Sequence, residues 1–181
     1  MTEKNRISRV VTRSGDAGET GLADGSRWPK DAPVVAALGD LDELNAMIGV
    51  LRSRLAVDQF ALLDTVQQRL FDLGAELAVP GTSRLTDADV DEIELAVEEL
   101  NKQLAPLREF VLPGGHPDAA FCHLCRTVAR RAERTLVAAV RGQSHSAASL
   151  RWLNRLSDYL FVLARTLNRI NASAEPQWRP R

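Results

Sequence analysis

Residues 33–55 read PVVAALGDLDELNAMIGVLRSRL, and their spacing sets the fold class. Val34, Leu41, Ile48 and Leu55 recur every seven residues, interleaved with Ala37, Leu44 and Leu51. This is the a/d stripe of a helix of roughly 22 residues packed in a bundle. Downstream the same period returns. A second helix is expected from about Asp58 to Ala78, with Leu63, Val66, Leu70, Leu73 and Leu77 inward and Pro80-Gly81 as its stop. Thr86-x-x-Asp89 resembles a capping box, and Val90, Ile93, Val97, Leu100 and Leu104 carry a third helix to the break at Pro106.

The loop REFVLPGGHP leads into a fourth helix from about Asp118 to Arg141, and GQSHS separates it from a fifth near Ala147 to Ile170. The tail EPQWRPR is expected to fray. Upstream, residues 1–33 are rich in Gly, Ser, Thr, Asp and charge without a helical period, which predicts a structured or ligand-ordered loop. VVTR and EFVL are short, isolated strand signals. The expectation is an all-α, five-helix up-and-down bundle in a single domain over 1–181, made of a loop (1–33), the bundle (34–171) and a tail (172–181).

Composition narrows the function. With 181 residues and 45% hydrophobic content, the chain can bury a full core without disulfide or structural metal. A net charge of −1 argues against a protein whose main task is binding a nucleic-acid backbone. The two cysteines lie three apart, a spacing that on a helix disfavours a disulfide, so the reducing cytoplasm is the expected compartment. The opening MTEKNRISRVVTRSGD has no apolar core and carries Glu3, so no secretory signal is expected. Apolar runs are far too short for a membrane span.

The fourth helix carries CHLCRTVARRAERT, residues 122–135. Cys122, His123 and Cys125 offer at most three metal ligands, and no other cysteine exists. The positions three before His116, His123 and His145 are Pro113, Ala120 and Gly142, so the Glu-x-x-His pairs of a di-iron bundle are missing. The cysteines therefore read as small buried hydrophobes. Arg126, Arg130, Glu133 and Arg134 share one helix face, while Phe121, Leu124, Val128, Ala132 and Leu136 form the core stripe, flanked by Arg131. One reading of that face is a solvated surface with internal pairing of Arg130 to Glu133 and Arg134. The other is a polyphosphate site. It draws weight from three arginines against one acid, and from 20 arginines against only Lys4, Lys30 and Lys102 in the whole chain, because guanidinium forks match phosphate oxygens.

A phosphate ligand needs a second element to close on it. TRSGDAGETG spaces Gly15, Gly18 and Gly21 three apart and adds the hydroxyls of Thr12, Ser14 and Thr20, so its backbone can turn and present N–H groups to an anion. It is not a Walker A loop, since no Gly-Lys-Ser/Thr follows.

Three ordered stretches are similar to one family. They are TRSGDAGETGL with WPKDAPVVAALGDLDELNAMIG, then FVLPGG with CRTVARRAER, then LRWLNRLSDYLFVLAR, from about Thr12 to Leu167. The chain resembles the PduO-type ATP:cob(I)alamin adenosyltransferases; residues 54–87 match in helical pattern only. The resemblance implies a ferritin-like, cobalamin adenosyltransferase-like bundle, assembled as a homotrimer with active sites at subunit interfaces. It implies ATP with Mg²⁺ on its phosphates, cob(II)/cob(I)alamin as the other substrate, and in-line attack of Co(I) on C5′ of ATP. Partners would be a flavin-type reductase and an adenosylcobalamin-dependent enzyme.

By the same resemblance, Thr12, Arg13, Ser14, Gly15, Thr20, Gly21 and Lys30 wrap the phosphates. Arg130, Arg131, Glu133, Arg134 and Asn154 meet ATP from the helices. Arg130 and Phe110 are the catalytic assignments, Phe110 as the aromatic that displaces cobalamin's lower axial ligand. Asp42 and Arg126 pair across the subunit interface. Arg13 and Ser14 stand where the family commonly has Lys and Thr, and ADGSR replaces its frequent Gly-Gly form. His116 reads as a surface loop residue. The alternative is a non-catalytic ATP-binding bundle that carries or senses cobalamin.

Overall fold

The computed structural model describes residues 11–56, 60–141 and 146–180. Residues 1–10, with Lys4, fall outside that range, as do Asp58, the expected start of the second helix, most of the GQSHS link with His145, and Arg181. The described chain folds as a short hairpin, β1 (Glu19–Gly21) with β2 (Arg27–Pro29), followed by α1 (Pro33–Arg54), α2 (Leu62–Ala78), α3 (Asp87–Asn101), α4 (Pro117–Val140) and α5 (Ala147–Ile170). None of these helices is long and apolar enough to cross a membrane.

The helices form where the apolar period is longest. Pro33 opens α1, where its missing N–H costs nothing. Ala37, Leu41, Leu44, Ile48 and Leu51 are buried along its inner stripe. Arg52 and Arg54 stand in its last turn, where positive charge meets the free carbonyls. Thr86 and Asp89 close a capping box on α3: the Asp89 carboxylate accepts from the Thr86 backbone N–H and hydroxyl, both at 2.8 Å, and pairs with Arg69 of α2 at 2.6 Å.

Helix α5 is the hub. It packs on α4 and α3, α4 packs on α1, and α1 packs on α2. Trp152, Leu153, Leu156, Leu160 and Leu163 of α5 are fully or almost fully buried, and each such side chain contributes about 2 kcal/mol of transfer free energy. A polar pin joins α2 to α5. The buried Glu76 accepts from the backbone N–H groups of Arg84 and Leu85 and from the hydroxyl of Ser149.

Four expectations change. Helix α2 begins at Leu62, and residues 60 and 61 form the turn before it. Helix α3 stops at Asn101, so Leu104 lies beyond it on the turn toward Pro106. The α4 core stripe is rotated: Leu124 is 49% exposed, whereas Cys122, His123, Cys125 and Ala129 are buried, because α4 is held between α1 and α5. The tail pairs with the loop before α4. Leu112 N–H donates to Pro176 O and Trp178 N–H to Phe110 O, both at 2.8 Å, around a Val111–Gln177 bridge.

Candidate active site

The glycine-rich segment builds a compact cradle. The hairpin pairs Glu19 with Pro29, Thr20 with Trp28 and Gly21 with Arg27. Gly18, at φ +86°, turns the chain so that its carbonyl accepts from Lys30 N–H at 2.9 Å. The Lys30 ammonium then lies over Gly15, where a Cβ would stand 3.2 Å from Nζ. Arg27 braces the cradle by donating to Ser14 O at 2.8 Å and to Glu19 at 3.0 Å. Thr12 and Ser14 hydroxyls are 2.9 Å apart, and Arg13 sits between them at φ +58°. Lys30 and Arg13 make no ion pair among the described residues, so the cradle presents two cations, two hydroxyls and free backbone at one place.

The second half lies on α4. Arg130 and Arg134 are exposed and form no ion pair among the described residues; Arg134 Nη1 donates to the Arg130 carbonyl at 3.1 Å. Glu133, the one acid of this face, accepts from Asn154 Nδ2 of α5 at 2.7 Å. Asn154 Oδ1 accepts in turn from Arg155 at 2.8 Å, and Arg155 pairs with Glu94 of α3 at 2.7 Å. This relay fixes Asn154 and turns the Glu133 carboxylate toward α5, and Glu133 forms no ion pair with Arg130 or Arg134 among the described residues. Arg131 turns away, to Asp40 of α1 at 3.1 Å and to Glu43, so it braces the bundle beside the face where the resemblance counted it.

Beside the arginine face, a cleft of about 450 Å³ opens under the loop before α4, lined by Phe110, Val111, Arg108, Arg126 and Phe161. Phe110 is 78% exposed. Arg126 is half-buried, and its Nε meets no hydrogen-bond partner among the described residues. Burial, then the nearby charge of Arg130, pulls its pKa down. Beneath Phe161, at a ring distance of 6.0 Å, lies His123, whose buried imidazole is pushed down to about 4 by burial and by Arg126.

Both cysteines are buried. Cys122 Sγ donates to Leu160 O at 3.2 Å and Cys125 Sγ lies 3.6 Å from Met47 O. Burial raises the Cys122 thiol, and lifts Cys125 to about 12, which disfavours the thiolate that a metal needs. No cluster of metal-ligating side chains occurs among the described residues.

No hydrogen bond or ion pair among the described residues joins residues 12–21 or Lys30 to Arg130, Glu133 or Arg134. Asp42 stands exposed on a groove of about 350 Å³ between α1 and α2, beside Leu38, Leu70 and Phe71, and makes no pair with Arg126. His116 is more than a loop residue: its Nδ1 accepts from Asp118 N–H at 3.3 Å and caps α4. The sequence reading did not single out Arg155, Phe161 or the tail. A tryptophan in an otherwise polar terminus was the one available signal, and Trp178 carries it.

A family model described as cobalamin adenosyltransferase matches residues 10–167. The chain is 47% identical over 177 residues to a cobalamin adenosyltransferase of Cupriavidus metallidurans, covering 97% of this chain and 96% of that protein. It is 40% identical to a corrinoid adenosyltransferase of Mycobacterium leprae, covering 96% and 97%. A PduO-type ATP:corrinoid adenosyltransferase from Lactobacillus reuteri, solved as a phenylalanine-to-alanine variant with cobalamin and ATP, superposes with a TM-score of 0.88 at 31% identity over 95% of this chain and all of that one. An arginine-to-lysine variant of the Lactobacillus reuteri enzyme, solved with ATP, gives 0.86 at 32% identity over 94% of this chain and all of that one.

Proposed function

The chain belongs to the cobalamin adenosyltransferase family, and on that premise we propose how its residues carry the reaction. It transfers the 5′-deoxyadenosyl group of ATP to the cobalt of cob(I)alamin, giving adenosylcobalamin and triphosphate. The cobalt(I) electron pair attacks C5′ in line; the Co–C bond forms as the C5′–O bond breaks, and that bond pair leaves with triphosphate. No proton moves, so no general base is needed. What the leaving group needs is positive charge and donors along its length.

The observation that carries this reading is the exposed pair Arg130 and Arg134, which forms no ion pair among the described residues while Glu133 beside it accepts from Asn154. Arg130 meets the charge that develops on triphosphate. Thr12, Arg13, Ser14, Gly15, Thr20, Gly21 and Lys30 close over the phosphates from the cradle, and Asn154 holds the nucleotide side. Mg²⁺ would be held on the phosphate oxygens of ATP, where it would neutralise charge. Phe110 faces the corrinoid in the cleft that it lines and takes the place of the lower axial ligand.

The family resemblance supports a homotrimer whose sites combine two subunits, with the exposed Asp42 of one pairing with Arg126 of the next, whose Nε has no hydrogen-bond partner among the described residues. We further propose one functional domain over 1–181, a cytoplasmic location, and a flavin-type reductase and an adenosylcobalamin-dependent enzyme as suppliers and users of the corrinoid. The decisive experiment is an anaerobic assay with cob(I)alamin and MgATP. Loss of the reduced spectrum with matching adenosylcobalamin and triphosphate is expected; ATP binding without turnover would instead indicate a carrier or sensor.

A further inference from the structure

We propose that residues 175–178 form a strap that sets the position of Phe110 over the corrinoid cleft, with Trp178 as its positioning residue. The proposal rests on the reading of Phe110 given above. Phe110 lies on a loop without helix or extended strand of its own, and at 78% exposure little of the bundle restrains its ring. An aromatic ring must lose χ1 and χ2 freedom before it can act at a defined place, and a partner that has already fixed it removes that cost.

The strap supplies such a partner. Leu112 N–H donates to Pro176 O and Trp178 N–H to Phe110 O, both at 2.8 Å, so the backbone on each side of Val111 is clamped to the tail. The Trp178 ring meets Phe110 with centroids 6.3 Å apart and planes at 60°, an edge-to-face contact. Loop and strap also share anchors on α5. The buried Arg165 holds Glu175 at 3.0 and 3.2 Å and donates to Ala105 O at 2.8 Å. One turn further on, Asn168 receives His116 N–H at 2.8 Å and donates to Gly114 O at 3.1 Å, while its own carbonyl accepts from Ser173 N–H at 2.9 Å. Loop and tail are therefore registered to the same two residues, through the Arg165 side chain and through the side chain and backbone carbonyl of Asn168.

A plain hydrophobic cover would bury what it touches. Here Trp178 remains 47% exposed and Phe110 78%, so their contact chiefly fixes orientation. The hydrogen bonds and ring contact of residues 175–178 among the described residues run to residues 110–112 and to Arg165, so the strap is proposed to act on the corrinoid side.

The test uses the full-length protein with cob(II)alamin and MgATP, reading the fraction of four-coordinate cob(II)alamin by electron paramagnetic resonance, alongside kcat, KM for ATP and Tm. Trp178→Ala is expected to lower the four-coordinate fraction and kcat about tenfold, the scale of a misplaced reacting group, with KM for ATP within about twofold. Trp178→Phe, which keeps an aromatic edge, should restore most of both. Glu175→Ala, which releases the strap from Arg165 without touching Phe110, should act in the same direction. If Trp178→Ala keeps the wild-type four-coordinate fraction while Phe110→Ala loses it, the strap proposal is wrong and the Phe110 reading stands. If Phe110→Ala itself keeps that fraction, the Phe110 reading falls and the strap proposal with it.

Discussion

Arg130 is exposed, forms no ion pair among the described residues and stands one turn from Arg134, and it is the residue proposed to meet the charge developing on triphosphate. Arg130→Ala should lower kcat/KM about 10²- to 10³-fold, the usual loss for a donor aimed at developing negative charge, with unchanged Tm. Stopped-flow loss of the cob(I)alamin spectrum measures it, and near-normal kinetics would contradict the assignment. Gly115 makes a different demand. At φ +93°, a Cβ would stand 2.2 Å from Asn168 Oδ1, inside the bond network that holds the loop. Gly115→Ala should cost about 2 kcal/mol and lower Tm by about 4–8 °C. Gly114→Ala, whose Cβ would lie 3.8 Å from Pro176 Cγ, is the control and should change Tm little.

Among the elements, α2 and α5 depend on the Glu76 pin. Glu76→Leu leaves two backbone N–H groups and the Ser149 hydroxyl without their acceptor, and should destabilise the fold by about 3 kcal/mol, read from denaturant midpoints. On α4, His123 gives a pH dependence. Burial and then Arg126 hold its imidazole at about 4 against 6.5 unfolded, so between these values the unfolded chain binds a proton that the folded chain does not. Its contribution is complete above pH 6.5 and is lost as pH falls toward about 4. In that window His123→Leu should lose less Tm than the wild type, and parallel curves would exclude the role. The helices were legible because repeated buried leucines dominate their energy. The end of α3 was not, since Leu104 keeps the apolar spacing after the chain has turned at Asn101. The hairpin strands are three residues each and nearly all exposed, so no alternation marks them. The strap depends on a long-range pairing with residues 110–112 that no local pattern encodes.

For the whole molecule, the proposed pairing of Asp42 with Arg126 of a neighbouring subunit would tie function to assembly. Asp42→Arg should weaken the assembly and the activity together, seen as a smaller mass in analytical ultracentrifugation, and adding Arg126→Asp should recover part of both. Independent additive effects would dismiss the pairing. The arginine excess and the glycine spacing offered a phosphate site as one reading of the chain alone, beside a solvated face; the corrinoid side rested on the family resemblance, because an exposed phenylalanine carries no chemical signature. The protein's three tryptophans happen to be spread over its parts: Trp28 on the hairpin, Trp152 buried in α5, and Trp178 on the strap. Their emission therefore separates by environment, with Trp152 blue-shifted and shielded from quenchers, and the other two red-shifted and accessible. A coloured corrin entering the cleft quenches Trp178 by energy transfer most strongly, while nucleotide closing on the cradle perturbs Trp28. The order in which the two substrates arrive can thus be followed optically, without attaching a label.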